Sequence, residues 1–160
     1  MAIPLGHHLL QALLYLKQFH RENGLVQVWL LVRHTNRFVL MTCDKPYMLY
    51  DHSSSLIGYR QASTAYLFST KETPRAFLGF PGRVFLRGMP EGSPYVQLYS
   101  TSEFLRLTDA WAHNVQGSLV LPIFEPDTQN YIVVVEVVTT TYDIKLALEI
   151  DHICRAFQVC

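Results

Sequence analysis

The sequence predicts a single α/β domain built on a mostly antiparallel sheet, and three observations lead there. The chain has 160 residues, of which 49% are apolar, a size at which a domain buries about two thirds of the surface its unfolded chain exposes. Its first third carries a helical apolar period followed by two β-rich runs. Its last third carries two long β-branched runs followed by a second helical period. No internal repeat, low-complexity tract or linker interrupts the chain, so residues 1–160 read as one domain.

From Pro4 to Glu22, the residues Leu5, Leu9, Leu13, Leu16 and Phe19 recur at three- and four-residue steps, with Pro4 suited to an opening turn and Asn23-Gly24 to a C-cap. Leu25 to Val32 is apolar on both faces, as an interior strand requires. A second strand, Phe38 to Thr42, follows a turn at Thr35-Asn36 that sets residue 34 against 37 and 31 against 40. That register puts Trp29, Leu31, Phe38 and Leu40 on one face. Tyr47 to Tyr50 reads as a short strand, Leu56 to Phe68 as a helical or mixed stretch, and Lys71 to Arg75 as a polar loop. A loop ending in Pro81-Gly82 launches a short helix that Gly88 and Pro90 stop. A further helix is expected from Ser102, carrying Phe104, Leu105, Leu107 and Trp111. Ser118 to Phe124, a turn at Glu125-Pro126-Asp127, and Tyr131 to Thr140 read as two buried strands, and Leu146, Ile150, Ile153 and Phe157 mark the last helix.

Thirteen basic side chains balance thirteen acidic ones, which leaves no net field to draw in a polyanion or an anionic membrane. Direct contact with nucleic acid or membrane is therefore not expected. Three cysteines without CxxC spacing suggest neither a disulfide scaffold nor a zinc knuckle, and fit a reducing compartment. No apolar run reaches the length of a membrane span, and Met1 to Gly6 lacks the features of a signal peptide. The chain reads as intracellular. Phosphate-binding loops, zinc-protease motifs, nucleophile elbows and EF-hand loops are missing, so neither an enzyme nor a bound cofactor is expected. His7 and His8 sit about 100° apart on a helix and cannot share a metal as an i, i+4 pair could, so they read as a solvated face. Asp151, His152 and Cys154 lack a fourth ligand, and Cys154 reads as a small packed hydrophobe.

Three strings in order resemble the landmarks of a GAF domain: Leu78-Gly79-Phe80-Pro81-Gly82-Arg83-Val84-Phe85, Asn114-Val115-Gln116-Gly117-Ser118-Leu119-Val120-Leu121-Pro122-Ile123-Phe124, and Val134-Val135-Glu136-Val137-Val138-Thr139-Thr140. Gln27-Val28-Trp29, Arg37-Phe38-Val39-Leu40, Tyr59-Arg60, Tyr66-Leu67-Phe68 and Asp151-His152-Ile153-Cys154-Arg155-Ala156 add a closer likeness. Over residues 10–157 the chain resembles the GAF-like N-terminal domain of the plant NIN-like proteins, RWP-RK transcription factors of nitrate and nodulation signalling. The resemblance implies a GAF-like fold with a six-stranded antiparallel sheet flanked by helices, no catalysis, and a place in the nucleus and cytoplasm. It also implies a sensor segment that binds nitrate or another small anion and controls a DNA-binding region elsewhere in the same transcription factor. The implied partners are the other domains of that factor and a second copy of the chain.

Carried over by matching strings, the implied nitrate pocket comprises Trp29, Phe38 in place of a histidine, Leu40 and Tyr66. Nitrate is planar and charged, so a dry pocket must supply donors or a cation. Phe38 supplies none, which leaves the Trp29 indole, the Tyr66 hydroxyl and the Arg60 guanidinium, whose fork suits a planar oxyanion. Arg83, beside Pro81-Gly82, is a further candidate at a helix start. On this reading Phe38→His tightens nitrate binding. Gly92 stands where many relatives carry Trp, and Val133 where Gly is common. Two functional expectations follow: a nitrate sensor, or an interaction and autoregulatory module whose pocket has degenerated.

Overall fold

The computed structural model describes residues 5–19, 24–50, 54–124, 131–141 and 144–158. Helix α1, Leu5–Leu16, buries Leu9, Ala12, Leu13 and Leu16 along one stripe. It stops short of the expected Glu22, passing into a turn at residues 17–19; of the expected cap Asn23-Gly24, Asn23 lies outside the described residues and Gly24 opens the first strand instead. Strands β1 (Gly24–His34) and β2 (Arg37–Met41) form a hairpin in the expected register, His34 opposite Arg37 and Leu31 opposite Leu40. Thr35 and Asn36 both take positive φ, 43° and 64°, the twist that a two-residue hairpin turn needs.

Strand β3, Tyr47–Leu49, pairs with the other end of β1, so β2 and β3 share one edge of that strand. Among the described residues seven strands thus fill the six lateral positions β4-β2-β1-β7-β6-β5. The mixed stretch resolves into helix α2, Ser54–Ser63, and edge strand β4, Leu67–Ser69, which pairs with β2. Helix α3, Gly79–Arg87, begins before the expected Pro-Gly start, because Pro81 falls in the first turn, where its missing N–H costs nothing. Gly79 takes φ +56°, and a Cβ there would lie 2.6 Å from the Phe68 ring. Gly88 ends the helix with φ 68°, its N–H donating to the Val84 carbonyl at 2.9 Å.

Strand β5, Glu91–Ser93, has too few residues to show a period, and it pairs with β6, Gly117–Phe124. Helix α4 spans only Leu107–Ala112. The expected start at Ser102 is a separate turn in which the Ser100 N–H donates to Glu103 Oε1 at 2.9 Å, while Ser100 Oγ accepts from the Glu103 N–H at 3.3 Å. This reciprocal pair caps a turn that does not propagate. Strand β7, Tyr131–Thr139, lies between β1 and β6, and helix α5, Leu146–Phe157, closes the fold. The turn expected at residues 125–127 lies outside the described residues.

Alternation along the central strands makes two cores. Leu9, Leu13, Leu16 and Ile153 of α1 and α5 pack on Val26, Val28, Leu121, Val133, Val135 and Val137. On the opposite face, α2, α3 and α4 pack Leu56, Tyr59, Phe80, Val84 and Ala110 against Leu25, Trp29, Leu40, Phe68, Val120, Val134 and Val138. Cys43 is free and half-buried, whereas Cys154 is disulfide-bonded rather than the small packed hydrophobe expected in the absence of a fourth ligand. His7 and His8 are exposed on α1.

Candidate functional site

The face under α2 to α4 holds a charge that alternation alone puts there. On β1, β7 and β6 the residues Gln27, Glu136 and Val120 stand in one row across the sheet, and Trp29 follows two residues along β1 on the same face. Glu136 is 0% exposed. A buried carboxylate is tolerated only if its charge and lone pairs are met, and five hydrogen bonds converge on this one. Its Oε1 accepts from Gln27 Nε2 at 2.8 Å, Trp29 Nε1 at 3.1 Å and Arg106 Nη1 at 2.9 Å. Its Oε2 accepts from Arg106 Nη2 at 2.6 Å and Ser118 Oγ at 3.2 Å. Burial works to raise the Glu136 carboxyl, but the Arg106 charge and the donated hydrogen bonds hold it below its ordinary range.

Arg106 precedes α4 and is 1% exposed. The rings of Trp29, Tyr59, Phe68 and Phe104 surround its guanidinium at 5.1 to 5.4 Å, a setting that favours a desolvated cation. Its Nη1 also donates to Ser63 Oγ at 3.2 Å. Beside it the Tyr59 hydroxyl is buried and has no hydrogen-bond partner among the described residues. Burial pushes that phenol far up, against the pull of Arg106, so it remains a neutral donor.

The structure separates the six residues expected at the pocket. Trp29 is in this cage, and Leu40 lies on the same face, fully buried. Tyr66 is at its margin: its ring stacks on Phe68 at 5.6 Å and its hydroxyl donates to Asp109 Oδ2 at 2.6 Å. Burial and that hydrogen bond push its hydroxyl up to about 12. Arg60 is buried on α2 but one step removed, donating through Nη1 to Gln27 Oε1 at 3.0 Å and to Thr42 Oγ1 at 2.5 Å. Phe38 shares the parity of Leu40 but is 53% exposed, because it lies next to the hairpin end, past the helices. Arg83 lies outside the cage, behind Phe80 and Phe104: its Nε and Nη2 pair bidentately with Glu91 at 3.1 and 2.9 Å, and its Nη1 donates to the Glu103 carbonyl. It ties α3 to β5.

No protein-family model matches the chain. Among curated proteins, Protein NLP3 of Oryza sativa subsp. japonica is 42% identical over 150 residues, 94% of this chain and 16% of that protein. Protein NLP7 of Arabidopsis thaliana is 42% identical over 148 residues, 92% of this chain and 15% of that protein. The chain belongs to the NIN-like proteins. It spans about one sixth of the length of the curated relatives it matches.

Solved structures agree on the fold of this NIN-like chain. A GAF domain superposes with a TM-score of 0.55 at 11% identity, over 85% of this chain and 60% of the other. NreA of Staphylococcus aureus, mutated in its nitrate binding site, gives 0.59 at 9% identity over 86% and 87%. The protein fRMsr of the same organism, in its reduced form, gives 0.55 at 13% identity over 99% and 95%. The fold is GAF-like.

Sequence reasoning about this NIN-like segment missed Glu136, Arg106, Gln27 and Tyr59. A signal existed for two of them: Glu136 and Gln27 are lone polar residues inside strands that are apolar on both faces, and such residues must find buried partners. Arg106 carried none, since an arginine amid Phe104, Leu105 and Leu107 reads as a snorkelling surface residue until the turn before α4 is known.

Proposed function

We propose that this chain is a single GAF-like regulatory domain, residues 1–160, that senses nitrate or a closely related planar anion and performs no catalysis. The observation that carries this reading is the Tyr59 hydroxyl, buried without a partner among the described residues beside the buried guanidinium of Arg106. An unpartnered buried donor costs about 1 to 3 kcal/mol, and an oxyanion seated between Tyr59 and Arg106 would satisfy it. The cage already holds one planar oxyanion, the Glu136 carboxylate, with an indole N–H, an amide, a hydroxyl and a guanidinium. Trp29 and Leu40 wall the same site, and Tyr66 flanks it. Within a longer protein the domain acts on neighbouring domains or a second copy, in the nucleus and cytoplasm, without itself touching nucleic acid or membrane.

Nitrate has four heavy atoms, and a ceiling of about 1.5 kcal/mol per atom gives a dissociation constant on the order of tens of micromolar at best. Glu136 and Asp109, both close to Tyr59, repel an anion and move the expected value to the high-micromolar to millimolar range. Titration calorimetry with nitrate, chloride and chlorate tests this. Nitrate binding should weaken about tenfold or more in a folded Tyr59→Phe variant, the loss of one hydrogen bond to a charged group. No heat with nitrate, or equal binding by Tyr59→Phe, refutes the site.

A second reading has its own observation. Glu136 already takes the cage donors, and Phe38 faces water, which together support a degenerate pocket in an interaction or autoregulatory module. A nitrate-silent chain that still associates with the rest of its protein would favour this reading.

A further inference from the structure

A second feature stands apart from the cage, at the sheet edge. The loop between β2 and β3 forms, with α1 and α2, an open groove of about 800 Å³ lined by Lys45, Pro46, Tyr47, Arg60 and Leu10 among others. Arg60 is 6% exposed. Its terminal N–H groups donate to neutral acceptors only: Gln27 Oε1, Thr42 Oγ1, and the carbonyls of Thr42 and Lys45 at 2.8 and 2.9 Å. These bonds fix the guanidinium without neutralising it. Among the described residues neither Arg60 nor Lys45 forms an ion pair with a carboxylate. Asp44 also lines the groove, exposed to solvent, so two cations face one carboxylate.

A buried cation without a paired counterion is costly; burial pulls the Arg60 guanidinium down, and the more distant charges of Glu136 and Asp44 offset this only in part. The rest of the lining says what kind of anion fits. The Tyr47 ring lies 4.4 Å from the Arg60 guanidinium carbon while the residue remains 49% exposed, and Leu10 is 53% exposed. An apolar body can lie on these two side chains and Pro46. The volume falls in the range of about 300 to 1,000 Å³ typical of small organic ligands, far more than an ion of nitrate's size would fill.

We propose that this edge groove is a second binding site, for a small organic acid whose carboxylate pairs with Lys45 in the field of the Arg60 charge while its aromatic or aliphatic body lies against Tyr47, Pro46 and Leu10. The terminal N–H groups of Arg60 are already donated within the protein. The proposal goes beyond the nitrate reading and does not depend on it. The two sites are joined by one chain of contacts, because Gln27 accepts from Arg60 and donates to Glu136.

Benzoate and its uncharged analogue benzamide are the probes, titrated into the chain and followed by backbone amide shifts. Benzoate should bind in the high-micromolar to millimolar range expected of a fragment of this size, shift the amides of residues 43–47, and outcompete benzamide at least about tenfold through its charge. Lys45→Ala and Tyr47→Ala remove side chains outside the core, and each should weaken benzoate at least about fivefold with unchanged melting. Nitrate binding should persist in both variants, and benzoate binding should persist in Tyr59→Phe. Equal binding of benzoate and benzamide, undiminished binding by Lys45→Ala, displacement of benzoate by nitrate, or no shifts up to about 20 mM would each overturn the second site, whatever becomes of the first.

Discussion

The two faces of the sheet are made by the same strands and differ in kind. Under α1 and α5, Val26, Val28, Val133, Val135 and Val137 meet Leu9, Leu13 and Leu16, aliphatic contacts worth about 1.5 to 3 kcal/mol per fully buried side chain. Such a core tolerates exchange of one apolar residue for another of similar volume. One residue along the same strands, the opposite face presents Gln27, Trp29, Ser118 and Glu136, closed by Arg106 and Ser63. A buried ion pair is often no more stabilising than an apolar replacement of the same shape. Both faces therefore bury apolar side chains that stabilise the fold, and the second adds a set of directed donors that an aliphatic core cannot supply.

Breaking the pair gives the largest effect that comparison predicts. Arg106→Met leaves the Glu136 charge buried and unmatched and should cost about 3 to 5 kcal/mol in urea or guanidinium unfolding. The double variant Arg106→Met, Glu136→Leu removes both charges and should recover most of that loss while abolishing any nitrate response. A double variant as unstable as the single one would mean that the polar face stabilises the fold as an aliphatic one does, and the contrast between the faces would go.

Acid sharpens the same contrast with a smaller effect. The Glu136 carboxyl is held below its ordinary value of 4.5 in the folded chain, so the unfolded chain takes up that proton first. Its contribution to stability is complete above about pH 4.5 and is lost as pH falls through the lower folded value. Denaturant midpoints measured downward from pH 6 should decline below that point, and Glu136→Gln should flatten the decline. An equally steep decline in the variant would assign acid sensitivity to other carboxylates.

How much of this the sequence disclosed follows from range of interaction. Periods of two and of three to four residues are local, so α1, α5, the β1–β2 register and the paired core strands were legible, down to Leu31 opposite Leu40. Strands of three residues, such as Glu91–Ser93 and Leu67–Ser69, have too few positions for a period and exist because a neighbouring edge pairs with them. The cage needs contacts 30 to 109 residues apart, Arg106 with Glu136 and Gln27 with Glu136. Trp29 and Leu40, carried over through the family resemblance, lie on the cage face. Phe38, carried over with them, and Arg83, read from its helix start, lie outside it because of sheet length and a local ion pair.

The smallest effect is expected at Phe38. From Leu40 the strand advances about 7 Å to Phe38, enough to leave the cover of the helices: the residue is 53% exposed and pairs in register with exposed Arg33. Its carbonyl accepts from Thr70 Oγ1 at 3.0 Å, a bond that any side chain at this position retains. A histidine there would be hydrated, with its ring donors already satisfied by water and no reason to turn inward. Phe38→His should therefore change stability by no more than about 0.5 kcal/mol, as surface substitutions do, and leave the nitrate dissociation constant unchanged within about twofold. Tightening of about tenfold or more, with the fold intact, would move the anion from Tyr59 and Arg106 to the outer end of β2. The polar face would then owe its buried charges to the cage geometry alone, since the ligand would bind where neither charge reaches it.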